Sequence, residues 1–297
     1  MSPSNSNPVM VLSAAMLMLV TATLVVSCSG KPQAEDRGVR IVSFSPAITK
    51  TVIDLGLADL LVGRTGYCED PGDVHVVGNL HEIDHERLLK LRPTHVLVQR
   101  TVTGNHHELE RICDRHGITC TSIPMDTIPE ISDMLVQVPG LLLKPGVDDE
   151  LLEVATQRAT AIIESLEQLE RMQTCGSGDP SILLFSVDPP RAFGRGTYID
   201  QLYRQLGGAN CIMTEGYPEL AMEDLYRIDP AELLVICSSS TDAEAARAHL
   251  NRAWPDSVHR TRWIIEPELL IPSSRVIQCA QQLCGASMPD RPEGGGA

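Results

Sequence analysis

Short apolar runs alternate with amphipathic stretches along most of the chain, and this alternation predicts strands followed by helices. Arg40–Phe44 and His95–Gln99 are largely apolar runs of strand length, whereas helical spacing begins after cap residues such as Ser45. Strands separated by helices indicate parallel βαβ units. The pattern therefore predicts an α/β fold, with a first lobe over residues 39–146 and a second over residues 176–289.

The segment 147–175 is different, because apolar residues recur at helical spacing for over 25 residues without a Gly or Pro. A helix of this length extends about 40 Å. The spacing would also suit one strand of a coiled coil, but it drifts with a 3.6-residue period and a second α/β pattern follows directly. We therefore expect one rigid helix that joins two α/β sandwich lobes, with a ligand cleft between the lobes.

An apolar run over Met10–Val26 ends just before Ser27 and Cys28, and a short run of this kind is typical of a secretory signal rather than a membrane span. Its end fits the lipobox pattern, in which cleavage before Cys28 leaves the cysteine for acylation. We therefore expect a signal segment over residues 1–27 and a polar tether over 28–38. No Lys or Arg occurs in the first eight residues, so an ordinary secretory signal or an uncleaved anchor is the alternative.

Charge and composition narrow the class of protein. The chain carries 39 acidic against 24 basic residues, and the net charge of -15 argues against a nucleic-acid partner, whose phosphates would be repelled. It suits a soluble protein that works in an extracytoplasmic space. We expect a monomer that is anchored to a membrane through lipid, in the periplasm or at the cell surface. The tail 290–297 is disordered by composition.

Catalytic and metal-binding patterns are missing from the sequence. There is no G-x-S-x-G elbow, no P-loop lysine and no nucleophile–base set, so we do not expect an enzyme. The nine histidines give no ligand set on one element, so we expect no metal site and no resident cofactor. A receptor for free metal, with ligands gathered from both lobes, is the alternative.

The cysteines allow disulfides in an exported chain, although their connectivity cannot be deduced from spacing. If Cys28 carries the lipid, eight of the nine cysteines are left. Cys113 and Cys120 flank a predicted helix end and strand start, which makes them one candidate pair. Cys211 with Cys284 (or with Cys279) is a candidate pair for the second lobe. Buried free thiols are the alternative for each pair.

Four stretches of the chain carry a recognisable pattern, and they are Arg40–Pro71, Asp84–Val96, Ala192–Ile212 and Tyr217–Ile236. In this order and spacing they resemble the periplasmic receptors for cobalamin and ferric siderophores, with the loop Tyr67–Pro71 most similar to the vitamin B12-binding branch. The resemblance implies two α/β lobes joined by one backbone helix. It also implies a substrate-binding protein that delivers a small-molecule chelate to an ABC permease and its ATPase.

The same resemblance implies roles for individual residues. Glu86 and Glu223 match the acids with which the family docks onto arginines of the permease, although both also read as ordinary helix-start acids. Tyr67 matches an aromatic ligand contact, and Tyr217 replaces a family tryptophan. The family's Thr-Glu in the first helix reads Thr-Lys here, with Lys50 in place of the acid.

The candidate binding residues indicate which class of ligand the protein carries. Arg191, Arg195 and Arg275 are candidates for the mouth of the cleft, where they would suit carboxylates or phosphate on a chelate, unless they are plain surface arginines. Aromatic residues make up 3% of the chain, too few for a rich stacking cage. Cobalamin or another corrinoid is the first choice and a ferric siderophore or haem the second. A sensor or scaffold lipoprotein with the same fold is a further alternative.

Overall fold

The computed structural model describes residues 38–79, 82–100, 107–172 and 178–285. The predicted signal segment, Cys28 and the tail 290–297 lie outside the described residues. Within the described ranges, no helix has both the length and the apolar character needed to cross a membrane.

A five-stranded parallel sheet forms the centre of the first lobe. Its strand order is β3-β2-β1-β4-β5, so the chain starts near the middle of the sheet and builds outward on both sides. The elements are β1 (Ile41–Ser43), α1 (Pro46–Asp54), β2 (Leu61–Arg64), β3 (His75–Val76), α2 (His85–Lys90), β4 (His95–Gln99), α3 (His107–His116) and β5 (Thr119–Ile123). As predicted, Ser45 caps α1, where its hydroxyl accepts from the Ile48 amide at 3.4 Å.

A helix that the apolar pattern does not predict follows β5. This helix, α4, spans Ile128–Leu142 and contains Pro139 in its last turn. Its start is fixed by a capping box, because the Thr127 hydroxyl accepts from the Glu130 amide and the Glu130 carboxylate accepts from the Thr127 amide. Two prolines make the helix hard to predict from the sequence, because proline usually ends a helix. Pro129 is tolerated in the first turn, and Pro139 lies in the last turn.

The long helix α5 spans Asp149–Met172, 24 residues, which corresponds to about 36 Å. It lies between the two lobes in the sequence and buries one stripe of small and aliphatic side chains. That stripe consists of Ala155, Ala159, Ile162, Leu166 and Leu169. Their spacing of three to four residues gives a single apolar face, whereas the opposite face is polar.

The second lobe contains another five-stranded sheet, with β10-β9-β6-β7 in order and β8 also paired with β6. The strand β7 runs antiparallel to β6, and the remaining pairs are parallel. The elements are β6 (Pro180–Val187), β7 (Pro190–Ala192), α6 (Tyr198–Gln205), β8 (Ala209–Asn210), α7 (Met222–Ile228), β9 (Glu232–Cys237), α8 (Ser240–Ala253), β10 (Thr261–Ile265) and α9 (Arg275–Cys279). The predicted α/β class with two lobes is confirmed.

One apolar core extends through both lobes. It includes Ile41 of the first sheet, Ile131 of α4, Ile162 of α5, and Tyr198 and Leu283 of the second lobe. The helix α5 packs on α4 and on α9, so it contacts elements from both sides. The lobes are therefore joined by a shared packed interior as well as by the chain.

Neither candidate disulfide is present in the structure, and the alternative of free thiols holds for Cys113, Cys120 and Cys211. Cys113 and Cys120 do lie next to each other, but both are free thiols. Cys211 is also a free thiol, whereas Cys284 is disulfide-bonded, so these two residues do not pair. The reason is their placement: Cys211 packs against a separate apolar cluster of the second lobe, and Cys284 packs against the core shared by both lobes.

Candidate functional site

The candidate site lies where loops of the two lobes meet at the carboxyl ends of the strands of the first sheet. The Lys50 ammonium of the first lobe is 2.9 Å from the Glu268 carboxylate, which follows β10 in the second. The Tyr198 amide of the second lobe donates to the Asp126 carbonyl, which follows β5 in the first, at 2.8 Å. Open α/β sheets bind ligands beyond the carboxyl ends of their strands, so this region is where a ligand is expected.

Tyr67 stands on the loop after β2 with its side chain 80% exposed. The loop is folded on its own lobe by the neighbours of Tyr67. The buried Cys68 thiol lies 3.0 Å from the Thr65 hydroxyl, and the Asp70 carboxylate accepts from Arg64 at 2.6 Å. The hydrogen bond from Arg64 and, to a smaller extent, one from the Val74 amide lower the pKa of Asp70 to about 2. A large aromatic ring is thus presented to solvent by an ordered loop.

Tyr217 is the aromatic side chain on the other lobe. Its ring packs edge-on against Phe185 and Phe193, with centroids 6.1 and 5.9 Å apart. Its hydroxyl lies near the Asp126 carboxylate of the first lobe, and burial is the main reason that the pKa of Tyr217 is raised. Burial and the nearby Glu130 carboxylate raise the pKa of Asp126. Asp126 was not predicted from the sequence, although its position just after a strand is a signal for a site residue.

A recess of about 440 Å³ lies in the second lobe beside Tyr217. Its wall includes Phe185, which contacts the Tyr217 ring, and Leu270, which follows β10. The polar part of the wall contains Asp188 and His249, whose Oδ2 and Nδ1 atoms are 3.3 Å apart. Within the described part of the chain, no group of three His, Cys, Asp or Glu side chains is arranged to hold a metal ion.

The three arginines predicted at the mouth of the cleft have different surroundings. Arg191 forms an exposed ion pair with Glu219 at 3.1 Å. Arg195 is exposed, and no ion pair involves it among the residues that the structure describes. Arg275 is only 20% exposed and forms ion pairs with carboxylates of the first lobe. Contact of Arg191 or Arg275 with a ligand stays a prediction, and it would compete with these ion pairs.

Arg275 belongs to a network of five charged side chains. Its guanidinium lies 3.0 Å from Asp54 and 2.6 Å from Glu69. Lys50 lies 3.1 Å from Glu69 and 2.9 Å from Glu268. The side chains are 12–37% exposed, so the network is partly buried. The network was not predicted from the sequence, because its pairs between the lobes join residues more than 200 positions apart in the chain.

The two predicted docking acids lie on different lobes. Glu86 is in the first turn of α2, where it is 77% exposed and pairs with Lys90 one turn later. Glu223 is in the first turn of α7 and is exposed. A carboxylate at this position is stabilised by the helix dipole. The two predicted docking acids are therefore both exposed, one on each lobe.

Comparison with known proteins identifies the family. The family model for periplasmic binding proteins matches residues 41–255. The chain belongs to this family. Proteins of the family bind small solutes outside the cytoplasm and work with an ABC permease and its ATPase. The membership inferred from the four sequence stretches is therefore confirmed.

Solved structures share the fold of the chain at low sequence identity. The vitamin B12-binding protein BtuF of Vibrio cholerae has 21% identity and a TM-score of 0.67, over 83% of this chain and 95% of that one. The haem-binding protein HutB of Vibrio cholerae has 20% identity and a TM-score of 0.68, over 84% and 99%. A possible iron-binding protein of Staphylococcus epidermidis has 15% identity and a TM-score of 0.68, over 83% and 97%.

Proposed function

We propose that the protein captures cobalamin or a related corrinoid between its lobes and delivers it to an ABC permease. The observation that carries this choice is the pair of tyrosines, one on each lobe. Tyr67 offers an exposed ring, and Tyr217 offers a ring held by Phe185 and Phe193. Two such faces suit a broad, flat ligand whose apolar surface is covered from both sides.

The charges around the tyrosines support a ligand without a large net charge. Arg275 and Lys50 are paired with carboxylates, and Arg100 is paired with Glu130 at 3.1 Å. A strongly anionic chelate would have to displace these carboxylates in order to pair with the cationic side chains. A corrinoid offers amide groups, which can hydrogen-bond to paired side chains without breaking the pairs.

A haem or ferric-siderophore receptor is the second candidate, and two observations favour it. Arg195 is an exposed cation outside every ion pair of the described residues, so it would suit a ligand carboxylate. The Tyr67 phenol is exposed and would suit ferric iron, which prefers oxygen ligands of this kind. The two candidates differ in what they require of Tyr67, namely its ring or its oxygen.

Substitution of Tyr67 separates the candidates. We expect Tyr67→Ala to weaken binding of cyanocobalamin about tenfold, because an aromatic contact of this size is worth roughly 1–2 kcal/mol. Tyr67→Phe should bind cyanocobalamin like the native protein, since it keeps the ring. Binding is measured by isothermal titration with cyanocobalamin and, in parallel, with haem and a ferric chelate.

The control for this titration is Tyr226→Ala, which removes an exposed tyrosine that packs on Trp254 at 4.8 Å, away from the candidate site. It should leave the affinity unchanged. Absence of binding to cyanocobalamin at micromolar concentration would refute the first candidate. Binding of haem that is lost in Tyr67→Phe would establish the second candidate instead.

We also infer that the protein is a lipoprotein anchored through Cys28, on the strength of the lipobox alone. Labelled fatty acid should be incorporated into the native protein and not into Cys28→Ala, which should accumulate in the soluble extracytoplasmic fraction. A variant that stays with the membrane and an unlabelled native protein would both contradict the anchor.

A further inference from the structure

Most ion pairs of the charged network described above join a residue of the first lobe to a residue of the second. Asp54 lies on α1 and Glu69 on the loop after β2, both in the first lobe, whereas Arg275 opens α9 in the second. The guanidinium donates from Nε and Nη2 to Asp54 at 3.1 and 3.0 Å, and from Nη1 to Glu69 at 2.6 Å. One side chain of the second lobe thus holds two carboxylates of the first.

The loop that carries Tyr67 is tied to the second lobe through Glu69, two residues away. The other anchors of the loop, Cys68 and Asp70, bond within the first lobe. Tyr67 itself has little packing to hold it, since four-fifths of its side chain is exposed. The distance of the Tyr67 ring from the second lobe therefore depends on Glu69 and on the cations that hold it.

We propose that Arg275 is a positioning residue for ligand capture, which holds the Tyr67 loop at a fixed distance from the second lobe through Glu69. This rests on the proposed function, in which Tyr67 contacts the ligand. The guanidinium suits the task because its planar fork can bind two carboxylates at once, whereas an ammonium is a single point charge. Partial burial of the network limits screening by salt and water.

The balance of charge explains why loss of Arg275 would move the loop. The network contains two cations, Lys50 and Arg275, and three carboxylates, Asp54, Glu69 and Glu268. Without the guanidinium, Lys50 alone faces three carboxylates, and the repulsion among them is relieved by movement of the most mobile one. That carboxylate is Glu69, because it lies on a loop and is 37% exposed, whereas Asp54 and Glu268 are each 19% exposed. The hydrogen bond from Arg275 is also the largest cause of the lowered pKa of Glu69.

The test compares Arg275→Met, Arg275→Lys and Glu69→Gln with the native protein. Hydrogen exchange of the amides at residues 66–72 reports on the loop, and titration with cyanocobalamin reports on capture. We expect Arg275→Met to speed exchange in the loop about tenfold and to raise the Kd about tenfold. Arg275→Lys should fall between Arg275→Met and the native protein, and the double variant Arg275→Met/Glu69→Gln should add little to either single variant.

The matched control is Arg227→Met, which breaks the exposed ion pair of Arg227 with Asp224 inside the second lobe. It should change neither measurement, and a thermal melt of every variant confirms folding. Unchanged exchange at residues 66–72 in both Arg275→Met and Glu69→Gln would overturn the proposal. Weaker binding with unchanged exchange would mean that Arg275 touches the ligand directly. If the native protein does not bind cyanocobalamin, the proposed function fails, whereas the exchange experiment still decides the role of Arg275.

Discussion

Replacement of Tyr198 by alanine is expected to lower the free energy of unfolding by about 3–5 kcal/mol, as is usual when a buried aromatic side chain is removed. Tyr198 is 2% exposed and belongs to the core that both lobes share. Its ring packs edge-on against Phe193 with centroids 5.7 Å apart, and its hydroxyl donates to the Leu269 carbonyl at 2.9 Å. The substitution therefore creates a cavity and also leaves a buried carbonyl without its donor.

Urea denaturation followed by circular dichroism measures this change. Tyr198→Phe is the control, because it keeps the ring and removes only the hydroxyl, and it should cost about 1–2 kcal/mol. A second control is Tyr226→Ala, in which the tyrosine removed is 47% exposed. A loss for Tyr198→Ala no larger than for Tyr226→Ala would show that the shared core does not depend on this side chain.

Charge reversal at both predicted docking acids should reduce uptake about a hundredfold or more. With Glu86→Arg and Glu223→Arg together, each lobe presents a cation where the permease is expected to present arginines. Opposed like charges at an interface cost several kcal/mol, and each 1.4 kcal/mol corresponds to a factor of ten. Uptake of labelled cobalamin is measured in cells that carry the permease and ATPase that serve this protein.

The control for docking makes the same change in net charge elsewhere. Glu150 in the first turn of α5 and Glu244 on α8 are also exposed, so Glu150→Arg with Glu244→Arg is a matched pair. The control should transport normally, and both double variants should bind cyanocobalamin with the affinity of the native protein. Normal uptake by the Glu86→Arg/Glu223→Arg protein would remove these two residues from the docking surface.

Local patterns in the sequence were enough to predict much of the fold. The apolar runs at β1 and β4 and the long amphipathic stretch at α5 are periodic signals that tertiary contacts did not override. The helix α4 was missed because Pro129 and Pro139 are residues that normally end a helix. A proline in the first turn and a proline in the last turn leave most of the helical hydrogen bonds intact, so these signals misled for a physical reason.

The candidate site was harder to predict than the fold, because it depends on pairs of residues that are distant in the sequence. Arg275 was assigned to the mouth of the cleft as a lone cation, whereas the structure surrounds it with Asp54 and Glu69. Lys50 departs from the family's acid at this position, and its partners Glu69 and Glu268 became visible only in the folded chain. The disulfide of Cys284 is similar, since the spacing of the cysteines does not determine which of them pair.

The shared core has a consequence for the order in which the protein is made. Ile41 and Leu283 lie at opposite ends of the described chain, yet both belong to one packed interior. A ribosome adds roughly 5–20 residues per second, so the apolar side of the first sheet waits for many seconds before its last partners are synthesised. A nascent chain therefore exposes apolar side chains of the first lobe until its last helices have been synthesised. Truncation from the carboxyl end should produce an aggregation-prone fragment rather than an independently folded first lobe.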